Sequence, residues 1–256
     1  SSGASRLLSE VRHRDPLLFW IGAAMMLAFV VCALVSIGDT RTILGINPWI
    51  KPMKFLTSVT IYLWTVAWFM PETTSPRVRT VLRRTIATVM VVEIVCVIMQ
   101  AVRGTTSHFN HATPFDEAIF SIMGIGIAIN TLAMMVFFFI LRRDTPPQSA
   151  GYLWGVRLGI VMFLLASFQG GLIVSNDAHT VGAPDGGPGL PFLNWSTTHG
   201  DLRIAHFVGM HAMQGLPLLG YLTNSRNLVI ATSILWVAAM GGLLIMALNG
   251  QPLLEL

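Results

Sequence analysis

Residues Pro16–Ile37, PLLFWIGAAMMLAFVVCALVSI, run for 22 positions without a charge. As a helix rising 1.5 Å per residue, that run is about 33 Å long, enough to cross the ~30 Å hydrocarbon core of a bilayer. Lipid offers the backbone no hydrogen-bond partner, so a single crossing segment must be helical. The run exceeds the apolar part of a signal peptide and reads as a true span, whereas the opening SSGAS, without Met, reads as a remnant of processing. The same pattern recurs, giving seven expected spans near 16–37, 49–70, 82–103, 116–141, 153–175, 202–223 and 227–249. Turn-rich segments separate them: PETTSPR, RGTTSHFNHATP, RRDTPPQSAG and a long SNDAHTVGAPDGGPGLPFLNWSTTHG. Only 11% of residues are charged, against about 25% in soluble domains, so lipid is the main expected partner. The expected fold is an all-α integral membrane protein, residues 1–256 forming one seven-helix domain in a bacterial-type inner or plasma membrane.

Basic residues orient such a chain, because Lys and Arg collect on the cytoplasmic side. Arg6, Arg12, Arg14, Arg77, Arg79, Arg83, Arg84, Arg142, Arg143, Arg157 and Arg226 fall on one side. Arg41, Lys51, Lys54, Arg103 and Arg203 fall on the other. The N-terminus is therefore expected in the cytoplasm and the C-terminus outside it. Trp49, Trp68 and Trp154 stand at span ends, where aromatic belts form. Every histidine except His13 lies toward the outer side. No basic run interleaved with aromatics points to nucleic acid. Cys32 and Cys96 both fall in apolar segments, giving neither a disulfide framework nor a CxxC metal site.

Polar side chains inside spans are costly, about 2.5–3.5 kcal/mol for a charge on insertion scales, and are functional candidates for that reason. The third span carries Glu93 and Gln100, the fourth Asn130, the fifth Gln169, and the sixth His206, His211 and Gln214. Counted from the span ends, Glu93 and His211 both come about 15 Å deep, where a carboxyl and an imidazole could share a proton as an acid/base pair. His206 and His211 are five apart and diverge by about 140° on a helix, a poor chelate, whereas His211 and Gln214 share a face. Pro217 frees the carbonyl of Met213.

The outer loops add Ser107, His108, His111 and Asp116 in one segment and Asp177, His179 and Asp185 in another. Two or three histidines with a carboxylate suit a divalent metal, zinc or iron, with a position open to water. The expected ligands are His108, His111, His206 and Asp116, with Ser107, Glu93 and His211 as catalytic groups. Lys51 and Lys54, the chain's only lysines, share a helical face and stand with Arg103 and Arg203 as contacts for an anionic or lipid-like ligand. Gln100, Gln214, His179 and Asp177 complete that polar set. The loop 175–200 has the length of a lid over the outer end; its GAPDGGPG lacks the GK[ST] ending of a phosphate loop.

A retinal protein is excluded, since 227–249 holds no lysine. Ser107, His111, Asp116, His206 and His211 are similar in residue type to the zinc site of the alkaline ceramidase and adiponectin-receptor hydrolases. The chain departs from that pattern in closing with HFVGMH in place of HxxxH, and in placing these residues on spans 3, 4 and 6. The expected function is an integral membrane enzyme with an outward-facing, metal-assisted His/Asp/Glu site acting on an amphiphilic substrate. The alternatives are a haem-binding membrane redox protein, with His206 or His211 as axial ligand, and a proton-coupled transporter using Glu93 and His211.

Overall fold

The computed structural model describes residues 3–141 and 150–255. Arg142, Arg143 and the connection they begin lie outside the described residues. Among the described residues, eight α-helices form: α1 (Gly3–Arg14), α2 (Pro16–Gly38), α3 (Ile50–Phe69), α4 (Pro76–Arg103), α5 (Pro114–Phe139), α6 (Ala150–Ser175), α7 (Leu202–Thr223) and α8 (Arg226–Leu248). Two-residue strands β1 (Thr180–Val181) and β2 (Gly200–Asp201) pair antiparallel. All helices but α1 and α7 are long and apolar enough to cross a membrane. The chain divides into two compact units, one ending at Leu141 and the other following it.

Three helix starts follow one chemical rule. Asp15, Ser75 and Thr113 each cap a helix through a side-chain oxygen and are each followed by Pro at the first helical position. Proline lacks an N–H that the first turn could not use anyway, and its φ already suits the helix. The Ser75–Pro76 pair starts α4 six residues before the expected 82, drawing Arg77 and Arg79 into its first turns. At 28 residues, α4 is about 42 Å long, so its basic N-terminal turns extend past an apolar core. α1 is a polar helix that the apolar pattern did not announce.

In the first unit, α2 and α3 form a hairpin closed by Asp39, which accepts from Trp49 Nε1 at 2.8 Å and pairs with Arg41 at 2.6 Å. These donors, Arg41 foremost, hold the Asp39 carboxyl well below the usual carboxylate range. Trp64 lies over Gly22, where a Cβ would stand 2.4 Å from its indole nitrogen. α4 packs on α3 and α5, and Tyr62 of α3 donates to Asn130 Oδ1 of α5 at 2.8 Å.

The second unit is a three-helix assembly in which α6 and α7 run antiparallel in their most extensive packing. Gly151, Gly155 and Gly159 of α6 lie directly on α7 backbone, near Gly220, Leu216 and Met213. Small residues four apart let two helix backbones approach closely. α8 covers the other side of α7: Trp236 donates to Val208 O at 2.8 Å and its ring lies against Gly215. Met162, Ala166, Ala205, Ala212, Leu216 and Met240 form the core between the three helices.

Candidate functional site

In the first unit, the junction of α4 and α5 draws six expected residues into two local groups. Asp116, in the first turn of α5, accepts through Oδ1 from Gln100 Nε2 at 2.8 Å and from Arg103 Nη1, and through Oδ2 from Thr113 Oγ1 at 2.6 Å. The result is a clasp joining the C-terminal turn of α4 to the N-terminal turn of α5. Both Asp116 oxygens are thus engaged by donors, and no imidazole is among them. Ser107 Oγ lies 3.0 Å from His108 Nδ1, but Ser107 is buried. His108 and His111 both pack against Phe120, and His108 also meets Phe55, over whose ring Lys51 sits at 5.9 Å. Lys54 shares the first turn of α3 with Lys51. Deeper in α4, Glu93 is buried against Gly126 of α5.

The expected metal set is divided: His108, His111 and Asp116 belong to the first unit and His206 to the second. Among the described residues, no three His, Cys, Asp or Glu gather as a metal site. Glu93 and His211 are likewise in different units. On α7, His206 donates Nδ1–H to the carbonyl of Ala166 at 2.9 Å, its ring seated in the notch at Gly170. His211 places Nδ1 3.2 Å from Gln214 Oε1 and meets the edge of Phe207. A carbonyl only accepts, so in His206 the lone pair is left on Nε2.

The second unit's loop 176–201 is a hydrogen-bonded structure. Asp185 accepts from the amides of His179 and Thr180 and lies 2.5 Å from His179 Nδ1. Burial alone would raise the Asp185 carboxyl; the bonds and charge of His179, with Thr180, outweigh it and hold the group well below the usual carboxylate range. Asn176 reaches the carbonyls of Ala178 and Thr180, and Leu190 N–H donates to Trp195 O. Asp177 sits at the helix exit with φ 52°, a region Asp tolerates better than most residues. At the other end of the loop, Arg203 donates to Asp201 through Nε at 2.9 Å and Nη2 at 2.5 Å, and to the carbonyl of Asn194.

These ties leave a cavity of about 30 Å³ over the N-terminal end of α7. Its polar lining includes Thr180, Asn194, Ser196, Thr198, His199 and Arg203, and it contains no carboxylate. Thr198 is exposed and its Oγ1 lies 3.0 Å from His199 Nδ1. A hydroxyl, an imidazole and a guanidinium therefore border one space. Of these, Arg203 alone was a leading candidate from sequence. Nothing in the spacing of Thr198 and His199 announces this meeting, because it depends on how Ser196 Oγ receives the amides of both residues. The dipeptide Thr198–His199 was the only available signal, and it is a common one. No protein-family profile matches the chain, and neither a curated protein nor a solved structure matches it.

Proposed function

We propose that the protein is an integral membrane enzyme that takes the anionic head of an amphiphile against the mouth of the small cavity over α7, on the extracytoplasmic side, and cleaves an ester there. Its seven crossings would be α2 to α8. The argument for α7 is that it matches α6 and α8 in length and packs against both, so a bilayer spanned by its two neighbours encloses it too. Its lower hydropathy comes from Arg203, His206, His211 and Gln214, and His206 is turned onto α6. The excess of arginine around the starts of α2, α4, α6 and α8 favours an N-terminus in the cytoplasm.

The chemistry follows from the three groups at the cavity. His199 takes the Thr198 proton as Thr198 Oγ1 bonds to the ester centre, and the Arg203 guanidinium stabilises the charge that develops. The ester's C–O or P–O bond breaks and the alcohol leaves with the proton from His199; water then releases the acid and restores Thr198. Asp201 and the Asn194 carbonyl hold Arg203 in place, so its orientation need not be assembled during reaction. Phe192, exposed on the same loop, offers an apolar contact for the rest of an amphiphile. The single observation carrying this reading is that Thr198, His199 and Arg203 line one cavity. It is tested with detergent-purified protein and p-nitrophenyl phosphate and p-nitrophenyl butyrate as probes. Turnover of one probe that disappears in Thr198→Ala and His199→Gln, with unchanged thermal unfolding, supports it; turnover indifferent to both substitutions refutes it.

A metal-assisted version has its own observation: the His206 Nδ1–H bond to Ala166 O is the kind of outer contact that orients a metal-ligating histidine. In that version Nε2 would hold zinc or iron with ligands from elsewhere, and as an axial haem ligand it needs only one such nitrogen. Elemental analysis and a visible spectrum of the purified protein distinguish the two. Stoichiometric metal lost in His206→Ala supports this version, and active metal-free protein retires it.

A further inference from the structure

The ester-cleaving reading leaves Glu93 without a task. Its side chain is 3% exposed, and Oε1 makes no hydrogen bond among the described residues. The two buried amide side chains nearest it in the span pattern are satisfied: Gln100 by Asp116, and Asn130 by Tyr62. An unpaired buried carboxylate carries a large solvation cost, which neutralisation by a proton removes.

Charges near Glu93 do not offer that neutralisation. Within the first unit the helices packed on α4 are chiefly α5, α3 and α2. The titratable residues on α5 are Asp116 and Glu117, in its first turn, both acids. On α3 they are Lys51 and Lys54, also in the first turn, and Tyr62, whose hydroxyl is given to Asn130. α2 carries only Cys32, and α4 itself has Cys96 one turn away, with arginines near its two ends. No ion pair reaches Glu93 among the described residues.

Facing Oε1 is Gly126. A Cβ there would stand 2.9 Å from Oε1 and 3.4 Å from Val89 Cγ1. Gly126 is itself partly exposed, between the exposed Ile125 and Ile127. The carboxyl end of Glu93 therefore occupies the place of the missing side chain, beside the exposed flank of α5, with Oε1 itself closed to the surface.

We propose that Glu93 is a proton-binding site inside the first unit, exchanging its proton past Gly126, where α5 sets no side chain over the carboxyl. The ligand is one proton per chain, and a carrier or reagent reaches the carboxyl when it swings out beside Gly126.

Dicyclohexylcarbodiimide, a lipid-soluble reagent for carboxylic acids, tests both parts in the full-length protein. The acid proton passes to one reagent nitrogen while the carboxyl oxygen bonds to the central carbon, so nothing leaves and the adduct keeps the whole mass of both. Peptide mass spectrometry of native protein at neutral pH is expected to show the adduct on Glu93 and none there in Glu93→Gln. Gly126→Ala, whose methyl displaces only a flexible carboxyl end, is expected to slow labelling at Glu93. The infrared C=O band of a neutral acid is expected in the wild type and absent in Glu93→Gln. If Glu93 is labelled only after unfolding and that band is unchanged by Glu93→Gln, the proton site is refuted; equal labelling rates in Gly126→Ala and wild type refute the route.

Discussion

Gly155→Ala tests whether α7, and with it the cavity at its N-terminal end, is held by direct backbone contact with α6. An ideal Cβ at Gly155 would stand 2.4 Å from the carbonyl oxygen of Leu216 and 2.7 Å from Pro217 Cα. Ordinary contact begins near 3.4 Å, so the helices must part by about 1 Å at this point. No rotamer relieves the clash, because both obstructing atoms belong to main chain. A radial gap of about 0.5–1 Å forfeits a quarter to a half of each contact's attraction, and Gly151 and Gly159 on the same stripe lose contacts when the helices part. Overpacking of this kind costs roughly 1–3 kcal/mol, and the upper part of that range is expected here. Alanine's better helix propensity offsets up to ~1 kcal/mol. Gly171→Ala, on the same helix but with no atom within 4 Å of its added methyl, is the control that gains propensity without a clash. Thermal unfolding in one detergent should place Gly155→Ala below wild type and Gly171→Ala at or above it. Equal midpoints for the two variants would refute the close-packing argument.

Asp116→Ala removes the acceptor shared by Gln100, Arg103 and Thr113, and a loss of about 1–3 kcal/mol is expected for unsatisfied buried donors, read as a lower unfolding midpoint. If the clasp is its whole role, any shift of the midpoint on adding zinc should be the same in Asp116→Asn as in the wild type. The loop held by Asp185 should loosen in acid. A carboxyl lowered on folding contributes stability above its unfolded value, near 4, and loses it as pH falls toward the folded value. Hydrogen exchange at the Thr180 amide should therefore accelerate below about pH 4, and Asp185→Asn should exchange fast with little pH dependence beyond the intrinsic rate.

Much of the architecture was legible because a membrane helix announces itself by length and composition. The uncharged run at 16–37 corresponds to α2, and the span boundaries at 49–70, 202–223 and 227–249 fall within two residues of helix ends. The early start of α4 was written in Ser75–Pro76, a capping signal of the same type as Asp15–Pro16 and Thr113–Pro114, but apolar periodicity drew the eye past the arginines that follow it. The stripe Gly151, Gly155 and Gly159 was also present in the letters. What the letters lacked was the surface it meets, Leu216 and Pro217, sixty residues away.

The candidate sites were less legible, for a physical reason. Residue type and position along a helix follow from composition and from a fixed rise per residue, so the chain alone determined that Glu93, His206 and His211 lie among apolar neighbours and that four histidines fall in the connections after α4 and after α6. Partnership is decided by rotation about each helix axis and by loop conformation, which depend on packing. Tertiary structure alone committed Asp116 to Gln100 and Arg103, turned His206 onto the Ala166 carbonyl, and brought Thr198 and His199 to the cavity beside Arg203. A hydrogen bond fails over a displacement of less than 1 Å, a tolerance finer than any periodicity in a linear sequence can specify.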